Sequence, residues 1–178
     1  LASNVTGTLP AGNGGTGATS FAPGKVLQVI NGINGTIDGT NSNTLANTST
    51  TASITPSSTS SKVLVLVKIN GVYVSHQSTN LDLTLRRDST TICDFGGTVG
   101  YNTNEANIDG GYTGDGITFL DTPNSTSSLE YRVQFATSVD GATYRITINN
   151  YIRGSIRPKS SITLMEIGAW PIWKTDQV

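Results

Sequence analysis

Six residues between positions 101 and 115 combine the side-chain types that bind sugars. They are Tyr101, Asn102, Asn104, Asp109, Tyr112 and Asp115. Aromatic faces contact the C–H patches of a sugar ring, and amide or carboxylate groups bond to its hydroxyls. This set predicts a glycan-binding surface. The alternative is an ordered loop whose tyrosines pack on the adjacent sheet, since connecting and functional loops share this composition.

The acidic residues of the same region raise the question of hydrolysis. A glycoside hydrolase needs two carboxyl groups about 5 to 10 Å apart, and Glu105, Asp109, Asp115 and Asp121 are candidates. Acidic residues beside glycine are more typical of turns, so no catalytic residue is predicted. Asp109 and Asp115 do not have the spacing of an EF-hand calcium loop. Neither a metal nor another cofactor is predicted.

The composition argues against several classes of partner. The 178 residues carry a net charge of −1, and charged residues make up only 13% of them, about half the usual share. No cluster of Lys and Arg indicates nucleic-acid binding. No apolar run reaches the roughly 18 residues that indicate membrane insertion. Cys93 is the single cysteine, so the chain has no internal disulfide.

The strongest structural signal is the run KVLVLVKI at residues 62–69. Its alternation places one set of aliphatic side chains on each face of an extended strand, and β-branched residues favour a strand over a helix. The run SITLMEIGAW at residues 161–170 is likewise apolar on both faces. Eight residues are therefore predicted to form the core or a subunit interface: Val63, Leu64, Val65, Leu66, Val67, Leu164, Met165 and Ile167. Because two strands have apolar outer faces, the pattern indicates a partner subunit.

The remaining elements also have the character of strands. Leu81, Leu83 and Leu85 alternate with polar residues, as in a half-buried antiparallel strand. Asn70-Gly71 predicts a hairpin after the apolar run. Residues 94–116 are predicted to form the longest irregular region. No segment has the apolar stripe of an amphipathic helix, so the sequence predicts an all-β, jelly-roll-like antiparallel β-sandwich.

The first 24 residues differ in composition from the rest of the chain. Residues 1–24 are rich in Gly, Thr, Ser and Asn, and the NGGTG run at 13–17 favours positive φ. They are predicted to form a flexible linker or a fibrous stem in which identical chains approach closely. Residues 25–178 are predicted to form the sandwich domain.

Several of these runs resemble parts of bacteriophage proteins. NVTGTLPAGNGGTGATS is similar to the stems that precede terminal domains in tail fibres of tailed phages, particularly phages of marine cyanobacteria and other marine bacteria. GKVLQVI, ITPSSTSSKVLVLVKI, FLDTPNSTSSLEYRVQF and SSITLMEIGA resemble a recurring fibre-end domain of the same proteins. The chain departs from that pattern at residues 31–50 and 94–116, where a recognition surface is expected to vary.

The resemblance implies a homotrimeric virion structural protein that acts in host attachment outside the cell. Its implied partners are copies of itself, other tail or capsid proteins of the virion, and a polysaccharide of the host surface. The resemblance implies no catalytic residue. Two alternatives remain: a purely structural capsid fibre, decoration or tail spacer, and a tailspike that degrades polysaccharide.

Overall fold

The chain is built from antiparallel β-strands. A computed structural model describes residues 25–76, 79–98, 115–150 and 157–168. The strands are β1 (Val26–Asn34), β2 (Asp38–Thr40), β3 (Ala46–Ile54), β4 (Lys62–Lys68), β5 (Tyr73–Val74), β6 (Leu81–Arg87), β7 (Thr90–Thr98), β8 (Gly116–Asp121), β9 (Leu129–Thr137), β10 (Ile146–Ile148) and β11 (Ser160–Ile167). No helix occurs in these four ranges, and every strand pair is antiparallel. The predicted all-β antiparallel class is therefore confirmed.

The strands form two four-stranded sheets and one small sheet. The first sheet has the order β1-β11-β4-β8, the second has the order β3-β9-β6-β7, and the small sheet has the order β2-β10-β5. One continuous hydrophobic cluster joins buried residues of the first and second sheets. The arrangement is that of a β-sandwich, with the core between the inner faces of the two larger sheets.

Alternation along the strands accounts for the core. Val63, Val65 and Val67 of β4 are buried, whereas Leu64 and Leu66 between them are only partly buried. On the facing sheet, the leucines of β6 and the apolar residues of β9 are buried in the same alternating way. Since successive side chains of a strand point to opposite faces, each long strand contributes every second residue to the core.

At one edge of the sandwich the backbones of the two sheets come into contact. Gly32 of β1 lies on the inner face, paired with Ile162 of β11. A Cβ on Gly32 would lie only 2.1 Å from the backbone oxygen of Thr51 in β3. Glycine is therefore required here for a close approach of two strands.

The predicted hairpin at Asn70-Gly71 is wrong. β4 and β5 do not pair with each other, because β5 joins β10 in the small sheet. The carbonyls of Asn70 and Gly71 accept hydrogen bonds from the backbone N–H groups of Asn149 and Asn150 at 2.9 and 3.0 Å. Gly71 adopts φ 61°, but its partners belong to a distant part of the chain rather than to a returning strand.

The predicted irregular region at 94–116 is shorter than expected at both ends. β7 continues to Thr98 along β6, with Leu81 opposite Thr98, and β8 begins at Gly116. The sequence prediction missed the end of β7 because it relied on alternating apolar side chains, which backbone pairing with β6 does not require. Gly96, at φ 93°, lies where the register of β7 against β6 shifts.

Candidate functional site

Of the six residues predicted to bind glycan, only Asp115 falls within the described part of the chain. The other five lie outside the described residues: Tyr101, Asn102, Asn104, Asp109 and Tyr112. Glu105, considered above for hydrolysis, lies outside them as well. Asp115 is half-buried directly before β8, and its carbonyl accepts a hydrogen bond from the N–H of Ile69 at 2.7 Å. Its carboxylate approaches β7, since a Cβ on Gly96 would lie 3.3 Å from Asp115 Oδ2.

A depression lies beside Gly96 on the outer face of the second sheet. It has a volume of about 320 Å³, at the lower end of the range of small-molecule sites, roughly 300 to 1,000 Å³. We call it the outer depression. It is lined by Asn43, Leu45, Asp82, Leu83, Thr84, Asp94, Gly96 and Ala136.

Strand register brings these residues together. Asp82 of β6 lies opposite Ala136 of β9, and Thr84 lies between Gln134 of β9 and Asp94 of β7. Opposite residues of an antiparallel pair have Cβ atoms about 5 Å apart, and residues two apart on one strand lie about 7 Å apart. Asp82, Thr84 and Asp94 are therefore neighbours within one small area of the sheet.

Thr84 is the least satisfied polar residue of the outer depression. Its side chain is 6% exposed, and its Oγ1 has no hydrogen-bond partner among the described residues. Leaving a buried hydroxyl unpaired costs about 1 to 3 kcal/mol. Oγ1 itself has less than 1 Å² of accessible surface, so this hydroxyl is closed off from the cavity.

The charge of the outer depression is negative. Asp82 and Asp94 are exposed, and none of the described residues that line the cavity is a lysine, arginine or histidine. Ionised carboxylates only accept hydrogen bonds. The site is therefore suited to a ligand that donates hydrogen bonds, with Leu45 and Ala136 providing apolar contact.

Asp121, one of the four carboxyls considered for hydrolysis, has a structural role. It is 7% exposed, and its Oδ2 accepts hydrogen bonds from Arg87 at 2.5 Å and from the hydroxyl of Tyr131 at 2.6 Å. Burial and this carboxylate together raise the pKa of Tyr131 above its ordinary value. Burial by itself lowers the pKa of Arg87, but the hydrogen bonds and charge interactions with Asp121 and Tyr131 together raise it above its ordinary value. The cluster thus ties the edge strand β8 to the second sheet.

Glu166 is a second buried carboxylate, which the sequence did not reveal. It is 1% exposed on the inner face of β11. Its Oε1 accepts hydrogen bonds from the N–H and the hydroxyl of Ser57, and its Oε2 accepts one from Gln28 Nε2, each at 2.7 Å. Burial raises the pKa of Glu166, but these hydrogen bonds outweigh it and lower the pKa to about 2. Glu166 therefore holds β1, β11 and the β3–β4 connection together.

The outer face of the first sheet carries an exposed apolar row. One row of cross-strand neighbours consists of Val29, Met165, Leu64 and Leu120. Val29 and Leu120 are 53% and 50% exposed, and Ile33 on the same face is 65% exposed. A sandwich face in contact with solvent normally carries polar side chains, as the outer face of the second sheet does.

The eight residues predicted for the core or a subunit interface separate into two groups. Val63, Val65, Val67 and Leu164 are buried in the core, whereas Leu64, Leu66, Met165 and Ile167 are partly buried on the outer face of the first sheet. The sequence pattern identified the apolar surface but not the outer depression. The residues that line the outer depression are far apart in the chain. The one sequence feature that pointed to them was the alternation of Asp82 and Thr84 with leucines, which predicted that these two residues face outward.

Neither a metal site nor a membrane-spanning helix occurs in the described part of the chain. Within the described ranges, no group of three or more His, Cys, Asp or Glu residues could hold a metal ion. The same part of the chain includes no helix of the length and apolarity that a membrane crossing requires. No protein-family model and no curated protein matches the sequence.

Proposed function

We propose that this chain is a domain of a homotrimeric bacteriophage fibre that attaches the virion to the surface of its host cell. The observation that carries the proposal is the apolar row on the outer face of the first sheet, which a partner subunit would cover. The resemblance of several sequence runs to phage fibre-end domains supports the same role. Residues 1–24 would form the stem that joins this domain to the rest of the virion.

The strand order supports a jelly-roll architecture. The eight longest strands occur in chain order in the first, second, first, second, second, first, second and first sheets. The chain therefore passes back and forth between two four-stranded antiparallel sheets, as in the jelly rolls of viral capsid proteins and lectins. A fold by itself assigns no activity, so the argument depends on the surfaces.

The cover that fits the apolar face best is another copy of the chain. The exposed row runs from the edge strand β1 to the edge strand β8, so a symmetric partner would cover the row and the two edges together. Charged residues on this face stand at the ends of β4, where Lys62 and Lys68 are exposed. Homo-oligomers with closed symmetry are the commonest soluble assemblies.

The oligomeric mass in solution tests the assembly. We expect the wild-type chain to be a trimer and Leu120→Lys to be a monomer with an unchanged circular dichroism spectrum, because Leu120 is already half exposed. Thr91→Lys is the matched control, since Thr91 is an exposed strand residue on the outer face of the second sheet. A monomeric wild type, or a Leu120→Lys variant that assembles normally, would contradict the proposal.

Cell binding tests the attachment role. The purified wild-type trimer should adhere to host cells, and replacement of residues 99–114 by a short Gly/Ser linker should reduce that adhesion. A trimer that binds no host cell would instead be a capsid fibre, a decoration or a tail spacer. Depolymerisation of host polysaccharide that is lost in Asp115→Asn would indicate a tailspike.

A further inference from the structure

We propose that residues 169–178 pack over the β1 side of the apolar row of their own subunit, with their tryptophans against Leu27 and Val29. These ten residues directly follow Gly168, where the described part of the chain stops. The inference deepens the proposed assembly by naming what covers one half of the apolar row. Only the division of the row between this segment and a neighbouring copy, which would cover the β8 side, rests on that proposal.

The exposed apolar side chains of the described residues are concentrated on β1. Of the seven large hydrophobic residues that are exposed there, four belong to this strand: Val26, Leu27, Val29 and Ile33, at 38 to 65% exposure. The other three are divided among β8 and two connections. β1 therefore leaves more apolar side chains uncovered than any other described strand.

The apolar row lies near the end of the sheet at which β11 finishes. Ile167, the last residue of β11, is partly buried on the same face as Met165 in the row. One step further from that end, the cross-strand neighbours on this face are mostly polar: Asn31, Thr163, Leu66 and Thr118. The chain therefore leaves β11 beside the apolar part of the face.

The point of departure is next to β1. The N–H of Gly168 donates a hydrogen bond to the carbonyl of Lys25 at 2.9 Å. A Cβ on Gly168 would lie 3.5 Å from Cδ1 of Leu27. Met165 lies three residues back along β11, which is about 10 Å in a strand. Ten extended residues reach about 33 Å, so the segment is long enough to return over the row.

The composition of the segment matches the face. Its sequence, AWPIWKTDQV, includes both tryptophans of the chain and one isoleucine between them. A tryptophan buries roughly 150 to 250 Å², and an apolar sheet face beside its point of attachment provides that cover. Pro171 has no N–H to donate to a strand ladder, which favours packing over the sheet rather than continuation of β11.

The connection to β11 selects the subunit. A segment joined to Gly168 has an effective concentration in the millimolar range near the adjacent face. No neighbouring copy is needed for this contact. The segment of the same subunit is therefore the occupant that the structure favours.

Tryptophan fluorescence tests the proposal, because Trp170 and Trp173 are the two tryptophans of the chain. In the 178-residue protein the emission should lie at shorter wavelength than in a free peptide of residues 169–178. Acrylamide should also quench it several-fold less. Emission and quenching equal to those of the free peptide would overturn the inference.

A charged substitution locates the contact. Val29→Lys should shift the emission and the quenching towards those of the free peptide, and the fold should persist because Val29 is already 53% exposed. Thr91→Lys, on the outer face of the second sheet, is the matched control and should match wild type. Unchanged emission in Val29→Lys, or an equal shift in both variants, would overturn the placement.

Monomeric protein distinguishes the subunit's own segment from that of a neighbour. The comparison uses Leu120→Lys, or wild type diluted until its mass is that of a monomer. The tryptophans should remain as protected in the monomer as in the assembly. Loss of protection on dissociation would place the segment on a neighbouring copy and overturn the inference.

The two proposals fail in different ways. A wild-type monomer with protected tryptophans would refute the trimer and leave the packing of the segment intact. A trimer whose tryptophans are as accessible as those of the free peptide would refute the packing and leave the assembly intact.

Discussion

Glu166→Gln tests how this sandwich keeps a charged group in its interior. The carboxylate is 1% exposed and accepts hydrogen bonds from Ser57 and Gln28. Gln28 Nε2 also donates to the carbonyl of Thr55 at 2.7 Å. Glutamine at 166 preserves the shape of the side chain but replaces one acceptor oxygen by an NH₂ donor. In one orientation this NH₂ group would face the NH₂ group of Gln28, and in the other it would face the N–H and hydroxyl of Ser57, so one set of hydrogen bonds is lost.

The pKa of Glu166 sets the magnitude. Its value falls from the ordinary 4.5 to about 2 in the fold, and each unit is worth about 1.36 kcal/mol. The charged form therefore contributes about 3 kcal/mol to the free energy of unfolding. Because the pKa is lower in the folded state, this contribution is fully present above pH 4.5. It is lost as the pH falls from 4.5 to about 2.

Urea denaturation followed by circular dichroism, at one protein concentration and over a series of pH values, measures the effect. Glu166→Gln should lower the free energy of unfolding by about 3 kcal/mol at neutral pH. It should also remove most of the loss that wild type shows on acidification. The matched control is Glu130→Gln: Glu130 pairs with Arg132 at 2.7 Å, but its side chain is 42% exposed. Exposed pairs are worth at most about 1 kcal/mol.

Two results would refute this reasoning. One is a Glu166→Gln variant that loses stability between pH 4.5 and about 2 as steeply as wild type. The other is a Glu166→Gln variant that is no less stable at neutral pH than Glu130→Gln. Either result would mean that the hydrogen bonds of Ser57 and Gln28 do not stabilise the charged form.

Two further predictions concern the contact between the sheets. Tyr131→Phe removes a buried hydrogen bond to the carboxylate of Asp121 and should cost about 1.5 to 3 kcal/mol in urea denaturation; stability equal to wild type would exclude that role. Gly32→Ala should cost about 1 to 3 kcal/mol, because the new Cβ would meet the backbone of Thr51 at 2.1 Å. Gly35→Ala, whose Cβ would meet Lys159 at an ordinary 3.7 Å, should be close to neutral, and an equal loss in both variants would contradict a steric cause.

The hydrophobic pattern along the chain was sufficient to predict the fold class and most of the residues on the inner faces of the two large sheets. The alternation in β4, β6 and β11 predicted strands, and the absence of an apolar helical stripe predicted an all-β chain; the described residues confirm both. The same alternation identified Leu64 and Met165 as apolar residues with no internal partner. These inferences succeed because side chains of a strand alternate between faces whatever the strand pairs with.

Pairing between distant strands determined the rest. Asn70-Gly71 has the local chemistry of a hairpin turn, yet its carbonyls bond to Asn149 and Asn150. Asp94 becomes a neighbour of Asp82 and Thr84 only through the register of β6 against β7. The buried carboxylate of Glu166 gains its hydrogen-bond donors from β1 and the β3–β4 connection. By itself the sequence determined which residues must be covered, because hydrophobic periodicity is local. Only the tertiary structure decided which polar groups meet, because strand register is set by contacts between residues far apart in the chain.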